Sequence, residues 1–164
     1  MHPLDLPAGA LCVLVGPPGC GKSTLAARWP DSWRVCLDRF RELATDSEAD
    51  QTATSVAVEI QNLLLDARLS RARTTIVDST NLETRIRADL LSRARHWQRA
   101  TVAVLFDVPL DVVEARNASR RRVVHRHVVR ELHQLLPTSD QLQDEGFTDV
   151  HLISRLTAAA GGGQ

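Results

Sequence analysis

The sequence predicts an α/β fold, a three-layer sandwich with a mostly parallel sheet, and three observations predict it. Short apolar runs recur at residues 10–15 (ALCVLV), 33–37 (WRVCL), 74–77 (TTIV), 100–106 (ATVAVLF) and 150–153 (VHLI). Stretches with helical spacing of apolar residues separate them, which indicates βαβ units. The residues with the most chemistry stand directly after the first three runs, where an open parallel sheet binds ligands.

Each element has its own reason. Residues 10–15 lie between Gly9 and Gly16 and are apolar throughout, as a strand buried on both faces must be. A helix can run over 24–29 until Pro30. Residues 33–37 read as a second strand and 38–43 as a helical turn. Residues 44–50 are polar and acidic and read as a loop. Val56, Ile60, Leu63 and Leu64 give 53–72 a helical period. Residues 74–77 form a third strand ending at Asp78, and an Arg-rich helix follows over 83–97. Residues 100–106 are the fourth strand. Pro109 opens a helix expected to continue towards Arg122. Residues 127–136 form another helix stopped by Pro137, and 150–153 the last strand.

The 164 residues predict one domain over 1–157 and a low-complexity tail, AAAGGGQ, over 158–164. Net charge is zero, so no global field draws the chain to a polyanion. Three cysteines without metal-ligand spacing point to a reduced, cytoplasmic protein. The first residues, MHPLDLPAG, carry no signal-peptide pattern, and no apolar run approaches the ~20 residues that span a bilayer.

Residues 16–24 read GPPGCGKST, and Lys22 is the only lysine in the chain; the other 19 basic residues are arginine. Gly16, Gly21, Lys22 and Ser23 fit the P-loop pattern, with a strand before it and a helix after it. The cradle for donor phosphates is Gly16, Gly19, Cys20, Gly21, Lys22, Ser23 and Thr24. Its amides turn towards phosphate oxygens, Lys22 reaches the outer phosphates, and Ser23 is placed to ligate Mg²⁺. A guanine-reading [NT]-K-x-D signature is impossible without a second lysine. The length also leaves no room for the lid and sensor elements of a large ATPase ring.

Asp38 ends the second run, beside the P-loop by expectation, and can accept a proton from an attacking hydroxyl. Arg41, one turn on, can clamp an acceptor phosphate in a bidentate fork. Taken alone, the pair could equally be an N-cap and a solvated arginine. Asp78 has the look of a Mg²⁺-facing Walker B residue, and Thr80 or Asn81 could cap the next helix. Residues 116–130 hold six arginines, two histidines and no acid. Arg116 and Arg120 are spaced to share a helix face and close over a triphosphate. Arg121, Arg122 and Arg130 read more readily as a solvated surface. His125 and His127 are not read as metal ligands.

These motifs resemble, in order, those of the polynucleotide 5′-hydroxyl kinases, the kinase domain of bacterial and bacteriophage RNA-repair enzymes. The matching stretches are GPPGCGKS, Asp38-x-x-Arg41, Asp78-Ser-Thr-Asn81-Leu and Arg116-Asn-Ala-Ser-Arg120, with 123–150 similar to the family's C-terminal portion. The resemblance spans roughly residues 10–153. It implies ATP or another nucleoside triphosphate as donor, Mg²⁺ as cofactor, and the 5′-OH end of RNA or DNA as acceptor. Lys22 and Arg120 would contact donor phosphates and Arg116 the donor base. Asp38 would be the general base and Arg41 would hold the acceptor's 3′-phosphate. Asp78 and Asn81 would support the acceptor site, and Asp38 or Asp78 could add outer contacts to the metal. A repair phosphatase or ligase, attached in many members and lacking here, would act in trans. The chain has no Tyr and six aromatics, so no stacking platform for a long strand is evident. Two other readings stay open: a small-molecule kinase of the same fold (an antibiotic or sugar phosphotransferase, or a zeta-toxin-like enzyme) and a non-catalytic nucleotide switch.

Overall fold

The computed structural model describes residues 4–154; the tail expected at 158–164 lies outside them. Five strands, β1 (Leu11–Val15), β2 (Arg34–Val35), β3 (Thr75–Val77), β4 (Thr101–Phe106) and β5 (Asp149–Ile153), form one sheet in the order β2-β3-β1-β4-β5. Every pairing is parallel. The helices are α1 (Lys22–Ala26), α2 (Leu37–Thr45), α3 (Thr54–Leu69), α4 (Thr84–His96), α5 (Leu110–Ala118), α6 (Arg126–Gln134) and α7 (Ser139–Glu145).

Strand geometry sorts the core into two layers. Successive side chains of a strand point to opposite faces. Leu11, Val13 and Val15 of β1, with Ala103 and Leu105 of β4, pack against Leu65 and Leu69 of α3, Leu90 of α4 and Leu142 of α7. Cys12 and Leu14, with Val104 and Phe106, pack against Leu25 of α1, Val113 of α5 and Val129 of α6. All of β1 is fully buried. That explains its unbroken apolar run, each large side chain contributing about 1.5–3 kcal/mol by leaving water. Burial also pushes the Cys12 thiol up to about 12, so it behaves as a small apolar side chain.

Four differences from the sequence reading bear on the site. The second strand is only Arg34–Val35, and α2 begins at Leu37, so Asp38 stands in a helical first turn rather than at the strand end. That strand pairs with β3, so β3 and not β2 lies beside β1 and its P-loop. The fifth helix stops at Ala118, which leaves Arg120 outside it and off a shared helix face with Arg116. A local loop closure follows its end: Asn117 donates Nδ2–H to Val124 O (2.7 Å) and accepts from Val124 N–H (3.1 Å). Neither Thr80 nor Asn81 caps α4, whose cap position is Glu83.

The helix α7 was missed, although its signals stand in the sequence. Thr138 and Gln141 form a reciprocal capping box, and Gly146 (φ 113°) ends the helix in the left-handed conformation. The end of α7 is tied to α4 by Glu145, which accepts two bonds from buried Arg87 at 2.8 and 2.6 Å. Arg87 Nη1 also donates to the carbonyls of Asn81 (3.0 Å) and Leu82 (2.7 Å), fixing the loop after β3.

Candidate active site

The loop between β1 and α1 turns on two residues with positive φ, Gly19 (86°) and Gly21 (106°). A Cβ at Gly16 would lie 2.6 Å from Cys20 Sγ, and one at Gly19 would lie 2.9 Å from Val113 O and 3.1 Å from Asn117 N. Glycine at 19 therefore lets the backbone of α5 lie directly on the loop. Lys22 is buried and donates to Gly16 O (2.7 Å) and Pro17 O (2.9 Å), with Cys20 Sγ at 3.6 Å. Burial pushes the Cys20 thiol up, and the neighbouring Lys22 charge offsets part of that rise. Ser23 and Thr24 are exposed in the first turn of α1, where unpaired amides and the helix dipole favour an anion.

The loop after β3 is stitched to β1. Gly16 N–H donates to Thr80 O (3.0 Å). Asn81 is buried at φ 49°, and its Nδ2 donates to Leu14 O (2.7 Å), Ser79 O (3.1 Å) and Val77 O (3.3 Å). The amide nitrogen of Asn81 is thus committed to the backbone. Asp78 is buried and paired with Arg34, whose Nε and Nη2 stand 2.7 and 2.6 Å from Oδ2. The sequence reading missed Arg34, yet a charge inside an apolar strand must find a partner when buried.

Asp38 is half exposed and forms an ion pair with Arg41, which is buried and also donates from Nε to Glu48 O (3.0 Å). Arg122 reaches the same carboxylate from the segment after α5. Its Nη1 is 3.5 Å from Asp38 Oδ2 and donates to Glu48 O at 3.5 Å, and its Nε is 4.0 Å from Glu48 Oε1. Arg122 is therefore not a solvated surface residue. Two guanidinium groups from different parts of the chain converge on Asp38, an arrangement able to hold a carboxylate beside an anionic acceptor.

Arg116, on the last turn of α5, has a buried Nη1 with no hydrogen-bond partner among the described residues, and Ser79 Oγ is in the same condition. A buried donor without an acceptor is costly. Arg120 is exposed in the loop closed by Asn117 and Val124. Arg130 is also paired: Glu114 accepts from Arg126 at 3.0 Å and from Arg130 Nε at 2.5 Å, clasping α5 to α6. Those hydrogen bonds, with the charges of Arg126 and Arg130, hold the Glu114 carboxyl down at about 2, from an ordinary 4.5. A carboxyl depressed on folding stabilises the fold above its unfolded pKa and ceases to do so as pH falls. The urea midpoints of the parent and of Glu114→Gln are expected to differ above pH 4.5 and to converge progressively as pH falls from there through about 2. A constant difference across that range would rule out the clasp as an ionic one.

Among the described residues, no set of three or more His, Cys, Asp or Glu side chains could cage a metal. Mg²⁺ needs no such cage when phosphates and water supply most of its ligands. The exposed Ser23 hydroxyl, the glycine cradle and the orphaned Arg116 nitrogen fit a magnesium nucleotide.

A family described as AAA domain matches residues 11–137. The chain belongs to that family. Among solved structures, a chain of the Pnkp1/Rnl/Hen1 RNA repair complex is 22% identical with a TM-score of 0.69, covering all of this chain and 55% of its own length. A second structure of the Pnkp1/Rnl/Hen1 complex gives 26% identity and a TM-score of 0.58 over 75% of this chain and 42% of the other. The chain thus spans about half the length of those repair-complex chains. Kti12 from Chaetomium thermophilum, solved with ADP-AlF3, is 15% identical with a TM-score of 0.60 over 88% of each chain. A gluconokinase from Sinorhizobium meliloti 1021 is 14% identical with a TM-score of 0.54 over 91% of this chain and 84% of the other. The shared architecture is a P-loop kinase-like α/β fold. No helix among the described residues is long and apolar enough to cross a membrane.

Proposed function

We propose that this chain is a P-loop phosphotransferase that moves the γ-phosphate of ATP, or of another nucleoside triphosphate, to the 5′-OH end of RNA or DNA. The observation that carries the reading is the convergence of Arg41 and Arg122 on Asp38. A base at a hydroxyl needs only the carboxylate. The two guanidinium groups around it suit an acceptor that brings its own phosphate.

On this reading each site residue has a role. Lys22 leaves the carbonyls of Gly16 and Pro17 and takes the outer phosphates of the donor, assisted by the loop amides from Gly16 to Thr24. Arg120, exposed on its closed loop, meets charge on the transferring group. Arg116 spends its unpaired nitrogen on the donor. Ser23, with the donor phosphates, would hold a Mg²⁺ ion, which would neutralise phosphate charge there. Asp38 orients the hydroxyl and takes its proton. Arg41 grips the phosphate next to that hydroxyl, and Arg122 holds Asp38 in place. Asp78, held by Arg34, and Asn81, anchored on β1, keep the floor of the site rigid. A ligase or phosphatase supplied by another chain is consistent with the likeness to the RNA repair complex.

A second reading, a small-molecule kinase, is favoured by the likeness to the gluconokinase and by the zero net charge. Arg41→Ala separates the two. On the first reading it raises the KM for a nucleoside 3′-phosphate acceptor by about 10²-fold, a charge-assisted bond of roughly 1.5–3 kcal/mol being lost. The KM for ATP stays within about twofold. Equal effects on both constants, or equal turnover of a nucleoside with and without the 3′-phosphate, favour the second reading.

A further inference from the structure

The amino-terminal edge of the sheet lies opposite the P-loop, where α3 and α4 end and β3 and β4 begin. Residues 67–77 hold Arg68, Arg71 and Arg73 and no acid; residues 90–106 hold Arg93, Arg95, Arg99 and His96 and no acid. Arg99 Nε donates to Leu69 O at 2.8 Å, which brings the two connections together. The nearby Asp66 is already taken by Arg93 and by Trp97 Nε1–H at 2.9 Å.

Among the described residues Arg68, Arg71, Arg73 and Arg99 form no ion pair, whereas Arg39, Arg126 and Arg130 elsewhere on the surface each have a carboxylate. In a chain of zero net charge, these two connections gather positive charge, and Asp149, which opens β5 at the same end of the sheet, is paired with His151. Three of the guanidinium groups are also held in place, Arg71 by Nη1 on Ala67 O (2.7 Å). Arg68 spends Nε on Thr75 Oγ1 (3.0 Å) and Nη2 on Thr74 O (2.8 Å), and Arg99 spends Nε on Leu69 O, so each keeps donors to offer. Burial, and the nearness of Arg73, lower the Arg68 pKa, so the fold holds like charges together. Ser70, Ala72 and Gln98 lie between them, and no large apolar side chain of either connection is exposed. The face has charge and fixed forks but nothing to insert into a membrane or to bury in an apolar protein interface.

We propose that this edge binds the phosphate backbone of a nucleic acid strand through Arg68, Arg71, Arg73 and Arg99, as a second surface apart from the P-loop site. Arginine forks match phosphate oxygens, and such contacts position a strand without reading its sequence. The proposal does not rest on the phosphotransferase reading.

The test uses the full chain and a short single-stranded RNA that carries a 5′-phosphate and a 3′ fluorophore, so its 5′ end offers no acceptor hydroxyl. Fluorescence anisotropy is read across a salt series. Neutralising four phosphates of a single strand gives a fourfold rise in salt an expected loss of affinity on the order of 50-fold. Arg71→Glu with Arg73→Glu, both exposed, is expected to weaken binding about tenfold or more and to flatten the salt dependence. Arg71→Gln with Arg73→Gln, which only removes charge, gives a smaller loss in the same direction and stands in should the first variant unfold. Both variants are expected to keep the parent's circular dichroism and its affinity for a nucleoside triphosphate, since neither residue lies near the P-loop. Parent affinity in the Gln variant, affinity insensitive to salt, or equally tight binding of poly-glutamate or of phosphatidylserine vesicles would overturn the proposal.

Discussion

Asp38→Asn is expected to bind ATP as the parent does and to transfer phosphate about 10²–10⁴ times more slowly, the usual contribution of a positioned base. Asparagine keeps one oxygen, which serves Arg41 in place of Oδ1, and gives up the Oδ2 contact of Arg122 at 3.5 Å, so the link within α2 stays while Arg122 retains only Glu48. What disappears is the capacity to take a proton. Asp38→Ala removes both and is expected to be slower still, with the nucleotide Kd unchanged because the P-loop is a separate structure. Single-turnover rates and nucleotide titration separate the two effects. Near-parent turnover of Asp38→Asn would remove Asp38 as the base.

The second large effect concerns Lys22. Its ammonium sits in a pocket set by Gly16 O at 2.7 Å, Pro17 O at 2.9 Å and Cys20 Sγ at 3.6 Å. Such a space suits a compact charge better than a planar fork. That accounts for a lone lysine in a chain that otherwise uses arginine. Lys22→Ala is expected to weaken nucleotide binding and to lower transfer by about 10²–10³-fold, as loss of one preorganised donor to the reacting phosphates does. Lys22→Arg, although it keeps the charge, is expected to rescue less than a tenth of that loss. Full rescue by arginine would mean that charge alone, and not the shape of the cradle, selects this residue.

Much of the fold was legible because the signals were local. An apolar run with no polar break can only be a doubly covered strand, and β1 and β4 are that. The P-loop declared itself through glycines whose positive φ the structure realises at 19 and 21. The capping box of α7 was equally local and was overlooked. Other features were illegible for a physical reason: they are made by residues far apart in the chain. The order of strands depends on crossovers, so Asp38 could not be placed two strands from β1 by reading alone. The Arg34–Asp78 pair bridges 44 residues. Arg122 reaches Asp38 on α2 from a distant part of the chain, the loop that Asn117 and Val124 close after α5. Helical spacing of Arg116 and Arg120 had suggested a continuous helix, and this loop stands in its place.

The central claim is tested most directly by transfer of labelled γ-phosphate from ATP with Mg²⁺. The acceptors are 5′-OH RNA and DNA oligonucleotides, the same strands already 5′-phosphorylated, and a sugar acid without phosphate. Label on the 5′-OH strands alone is the expected result, and their relative rates rank RNA against DNA. Label on the sugar acid alone, or on no strand while ATP still binds, would contradict the account.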